Sequence, residues 1–113
     1  MEVNTVYGHS LNSNLLISYF NNLVNQFFKI LPMRENEEDS LIKYMQSLQV
    51  ELIGCKDFIP ELGENSFYLT LLSILQYLID NSDSSISVVK REVFRAISIC
   101  HKLKSAYAEA EVS

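Results

Sequence analysis

Glycine occurs only 3 times in 113 residues, proline twice and tryptophan not at all. So few turn-formers cannot serve the many short connections of a β-sandwich or barrel, which call for glycine, asparagine or proline. The same scarcity, beside 48% hydrophobic and 20% charged residues, excludes collagen-like, low-complexity and disordered chains. Cysteine is sparse too. Cys55 and Cys100 lie far apart and form no C-x-x-C pattern, which argues against a secreted disulfide scaffold and for reduced thiols in a cytoplasmic protein. The first residues, Met1-Glu2-Val3-Asn4, lack the basic and apolar regions of a signal peptide, so export is not expected.

Charge is missing from one long stretch, since no Lys, Arg, Asp or Glu occurs between Val3 and Phe28. That stretch carries Asn4, Asn12, Asn14, Asn21, Asn22, Asn25 and Gln26, whose amides would go unsatisfied in hydrocarbon, so it does not read as a membrane span. A second uncharged run, Asn65 to Ile79, falls short of the about 20 residues a bilayer helix needs and reads as a buried helix. Over the whole chain 14 acidic residues face 9 basic ones, a net charge of −5 that disfavours bulk attraction to nucleic acid or an anionic membrane.

What the sequence does have is helical period. Residues 1–10 show none and form an N-terminal arm, after which Ser10 or Asn12 offers a cap. Over about 12–31, Leu16, Phe20, Leu23, Phe27 and Ile30 step by four and three, with Ile17, Val24, Phe28 and Leu31 alongside. Pro32 ends this first helix. Glu35, Glu37, Glu38 and Asp39 then suit the first turn of a second helix over about 36–53, with Asn36 and Asp39 spaced as a weak capping box and Gly54 as its stop. Leu41, Met45, Leu48 and Leu52 form its stripe. Residues 55–65 read as a loop from which Phe58 and Ile59 plug the core. A third helix spans about 66–81, with a wide apolar arc that includes Phe67 and Tyr68. The fourth runs over about 87–109, where Val89, Val93, Ala96, Cys100, Leu103 and Tyr107 make the cleanest a/d seam in the chain. The residues ending Val112-Ser113 should fray. Together these elements describe one all-α domain over 1–113, a four-helix up-down bundle with an N-terminal arm. A three-helix core with one displaced helix is the alternative.

Two faces exceed what a bundle needs. The first helix has an apolar arc of about 180°, wider than an isolated four-helix bundle uses. Its outer edge, Ile17, Val24 and Phe28, is therefore a candidate self-association surface in a homodimer, unless Val3, Val6 and Tyr7 of the arm fold back over it. On the fourth helix Arg91, Arg95 and Lys102 share the face opposite the seam. That face is a candidate contact for an acidic partner, with Phe94 and Ile99 as apolar anchors unless these two simply pack against neighbouring helices. With the Asn81–Ser85 turn and the preceding helix it bears a passing resemblance to a helix-turn-helix reader, which gives a DNA-contacting transcriptional regulator as the alternative.

Chemistry is poorly provided for. His9, His101, Cys55 and Cys100 have no zinc-type spacing, and Cys100 sits on the apolar seam, so no metal site is expected. The isolated Gly8, Gly54 and Gly63 make no phosphate loop, and no Glu-x-x-His pair marks a di-iron bundle. No catalytic residue and no cofactor is assigned. The expected function is a non-catalytic interaction or adaptor module. An accessory subunit of an enzyme complex is the further alternative.

Overall fold

The computed structural model describes residues 2–8 and 10–112, with the side chains of residues 2, 10 and 109–112 left aside. His9 and the end of the chain at Ser113 lie outside the described residues. Four long helices, α1 (Ser13–Phe28), α3 (Leu41–Phe58), α5 (Ser66–Asp80) and α6 (Ile86–Val112), pack antiparallel as an up-down bundle. Helix α6 lies between α1 and α5, and α3 packs on the far side of α5. Two short helices, α2 (Ile30–Glu35) and α4 (Pro60–Gly63), sit in the connections.

The arm is a hairpin. Strand β1 (Glu2–Asn4) pairs antiparallel with β2 (Ser10–Asn12), placing Val3 opposite Leu11. The turn needs Gly8, whose φ of +79° is costly for any side chain and whose N–H donates to the Thr5 carbonyl. The hairpin docks on α4 through buried Val3, and the Val6 N–H donates to the Phe58 carbonyl at 2.9 Å. Val6 and Tyr7 are exposed, and the Tyr7 ring lies 5.9 Å from that of Phe58.

The helix ends depart from the sequence reading at three places. The first helix breaks at Lys29, not at Pro32, because proline offers no N–H to the Phe28 carbonyl one turn back and its ring crowds that carbonyl. Pro32 instead fits the first turn of α2, where amide protons have no helical acceptor anyway. The acidic run does not start a helix over 36–53. Asn36 closes α2, Glu37 takes a positive φ of 51°, and α3 begins only at Leu41, so no capping box forms. At the other end α3 passes Gly54 and continues to Phe58, since the stripe of Leu41, Met45, Leu48 and Leu52 runs on through half-buried Cys55 to buried Ile59. Ile59 and Leu62 plug the core. Phe58 faces outward instead, its ring 5.9 Å from that of Tyr7.

Gly54 is thus an exposed glycine inside a helix, with open space where a Cβ would stand. Gly54→Ala should stabilise the protein by about 0.4–1 kcal/mol, read as a rise in the thermal midpoint. A fall would place Gly54 outside regular helix.

Elsewhere the ends follow their caps. The Asn12 side chain accepts from the Asn14 N–H at 2.8 Å, and Asn65 accepts from the Tyr68 N–H at 3.1 Å. The backbone of Ser10 belongs to β2, and Asn12 is the N-cap of α1. The seam of α6 is buried from Val89 to Tyr107. Polar ties fix the helices against one another. Tyr44 donates to the Gln26 carbonyl at 2.8 Å, Tyr68 to the Leu52 carbonyl at 2.6 Å, and Arg34 through Nη2 to the Ser84 carbonyl at 2.8 Å. The last of these pins α2 to the turn before α6.

Candidate partner-binding face

With its seam buried, α6 turns Lys90, Arg91, Phe94, Arg95, Ser98, His101, Lys102 and Ser105 to the surface. This outward side has no acidic residue between Ile86 and Ala108. The one carboxylate there, Glu92, is buried. The face is therefore basic on a chain of net charge −5. The acidic residues Glu37, Glu38, Asp39 and Asp83 gather instead around a groove at the end of the bundle, beside Arg34.

Aromatic rings interleave with the bases. Phe94 is 50% exposed and Phe28 of α1 is 42% exposed, and they meet edge to face with centroids 6.0 Å apart. Further along, Lys102 Nζ lies 5.6 Å from the centre of the exposed Phe67 ring of α5. Lys104 is turned aside to donate to the Asn21 side chain at 3.0 Å. Arginine and exposed aromatic rings on one rigid helix are the residue types that dominate binding energy in protein interfaces.

The sequence-derived contact residues Arg91, Phe94, Arg95 and Lys102 all stand on this one side. Ile99 does not join them. It is buried, because the neighbouring helices reach further round α6 than its seam alone indicates. Of the self-association residues, Phe28 is at the surface, Ile17 is half-buried, and Val24 is 8% exposed where α6 packs along α1. Sequence reasoning missed Phe67, assigned to the core, and Glu92, which a helical wheel places at the seam's edge and which could have been singled out there.

Glu92 is held between two arginines. Its Oε1 accepts from Arg91 Nε at 3.2 Å and its Oε2 from Arg95 Nη1 at 3.4 Å. A carboxylate this buried persists only with such partners.

Of the two thiols, Cys100 is buried and Cys55 half-buried. Burial pushes the Cys100 thiol from its ordinary 9.0 up to about 12, and burial also raises Cys55, which lies beside Tyr19 and Tyr68. Both thiols are free, and burial disfavours the thiolate form of each. His101 is exposed while Cys100 beside it is buried, as their angular separation on the helix requires. Among the described residues no three His, Cys, Asp or Glu side chains are grouped so as to hold a metal ion, and no helix is long and apolar enough to cross a membrane.

Burial, aided by nearby Cys55, raises the hydroxyls of Tyr19 and Tyr68 well above the ordinary tyrosine value of 10.0. Burial and a 2.9 Å hydrogen bond donated to Glu61 do the same for Tyr107. These groups and Cys100 are protonated more tightly in the fold than in the unfolded chain. The stability they contribute is fully present below the ordinary values and is lost as pH rises through the raised ones. Helical circular dichroism should therefore hold up to about pH 9 and fail in alkali, with tyrosinate absorbance rising in the same step. Tyrosinate appearing near pH 10 with the helix intact would show these hydroxyls to be solvated.

No protein-family model, no curated protein and no solved structure matches this chain.

Proposed function

We propose that the protein is a non-catalytic helical interaction module that binds an acidic partner protein on the outward side of α6. The observation that carries this reading is the basic and aromatic face, Lys90, Arg91, Phe94, Arg95 and Lys102, on a chain that is otherwise acidic. Opposite charge on the partner steers encounter and fixes register, and Phe94 with Phe28 gives an apolar anchor at the centre. Self-association through this same surface is less favourable. A two-fold contact centred on Phe28 and Phe94 would bring the arginine pair of one copy near that of the other, like charge against like. The free cysteines fit a cytoplasmic setting.

Selection from a random peptide display library tests the reading without a known partner. Peptides rich in Asp and Glu around one aromatic or leucine residue are expected, binding more weakly as salt rises. Enrichment without acidic bias would overturn it. So would light scattering that shows a dimer dissociated by Phe28→Ala, or duplex DNA that competes for the face with higher affinity than the selected peptides.

A further inference from the structure

The groove between α5 and α6 beside Arg91, Glu92 and Arg95 has a more specific character than the rest of the face. Its volume is about 330 Å³, and Thr70, Ser73 and Tyr77 of α5 form the opposite wall. We infer that this groove is an oxyanion site in which the partner lodges one carboxylate or phosphate group. The inference rests on the reading of α6 as the contact face, and it names the anchor.

The lining decides the class of ligand. Two guanidinium groups border the groove, which excludes a cation, and hydroxyl-bearing side chains make up most of the remaining wall, which disfavours an apolar plug. Thr70 donates its proton to the Ser66 carbonyl at 2.8 Å and Ser73 donates to the Leu69 carbonyl at 3.2 Å. Free donors therefore come from the arginines and the Tyr77 hydroxyl. Each arginine spends one of its five N–H groups on Glu92 and keeps the others for a ligand. Their side chains are 63% and 58% exposed, so those donors are within reach of a group arriving from solvent. The trio keeps one net positive charge.

Glu92 explains how the two long side chains come to share one groove. Its carboxylate costs burial energy in a position flanked by Val89, Val93 and Ala96, where an apolar residue would pack without that cost. In return each oxygen restrains one guanidinium, so that less rotamer freedom is left to lose when an oxyanion binds. Glu92 acts here as a positioning residue.

Arginine side-chain NMR gives a direct test, because the chain has three arginines and the third, Arg34, is occupied at the Ser84 carbonyl and serves as an internal control. Inorganic phosphate and acetate are titrated separately at constant ionic strength into the labelled full chain. The Nε–H signals of Arg91 and Arg95 should shift and saturate while that of Arg34 stays still. Phosphate should saturate at lower concentration than acetate, since it carries more charge near neutral pH. The triple variant Arg91→Gln, Glu92→Gln, Arg95→Gln should lose both responses and weaken a selected acidic peptide at least tenfold. Shifts that grow without saturating, or that Arg34 shares, would overturn the site. Peptide binding that survives in the triple variant but falls with Phe94→Ala would overturn this inference and leave the contact face standing. Absence of any acidic peptide binder would instead overturn the reading on which it rests.

Discussion

Phe27→Ala should destabilise the protein by about 3–5 kcal/mol, and Phe28→Ala, one residue on, by less than about 1 kcal/mol. The two side chains are chemically identical and differ only in direction. Phe27 is fully buried on the core side of α1, whereas Phe28 is 42% exposed beside Phe94. Truncating Phe27 removes its transfer energy and leaves a cavity that the surrounding helices close only in part. For a domain of this size the total stability is about 5–15 kcal/mol, so the loss is a large share of it. Urea denaturation measures both variants. The ordering should reverse for binding, where Phe28→Ala weakens a selected acidic peptide and a folded Phe27→Ala does not. Equal destabilisation by the two changes would mean that α1 is rotated from the orientation described.

Neutralising Arg91 and Arg95 together should weaken an acidic peptide by about 3 kcal/mol, roughly a hundredfold in Kd at low salt, with a smaller loss at high salt. The double change Arg91→Gln plus Arg95→Gln also strips Glu92 of both partners. An unpaired buried carboxylate costs about 1–3 kcal/mol, so this variant should be less stable than the parent protein. Adding Glu92→Gln should restore most of the stability while leaving binding weak, which separates the two consequences. Restored binding in the triple variant would show that the arginines serve only to neutralise Glu92.

The pattern that was easiest to read was also the most faithful. The Val89 to Tyr107 seam of α6 is buried throughout, because six positions at a/d spacing can satisfy only one orientation of a helix. Arg91, Phe94, Arg95 and Lys102 follow from it, standing on the opposite side. The ends of the helices were less legible. Pro32, Gly54 and the acidic run each signal a boundary locally, but the buried stripe of α3 continues past Gly54 to Ile59, and burial outweighs the propensity cost of one glycine. Single-helix wheels also misjudge how far neighbours reach. They leave Val24 on the outer edge of α1, where it is in fact buried, and they put Phe67, which is exposed, inside. The Arg91–Glu92–Arg95 arrangement against Thr70, Ser73 and Tyr77 brings two helices together, and no spacing along one helix encodes it.

The most direct test of the contact face is a residue-by-residue amide NMR map of the labelled protein with a selected peptide bound. The account expects saturable shifts along 90–102 of α6, at Phe28 and at Phe67, lost when Arg91, Glu92 and Arg95 are replaced together by glutamine. Shifts centred on the exposed Val50 and Ile53 of α3, or on the hairpin at Tyr7, with α6 unmoved, would contradict it.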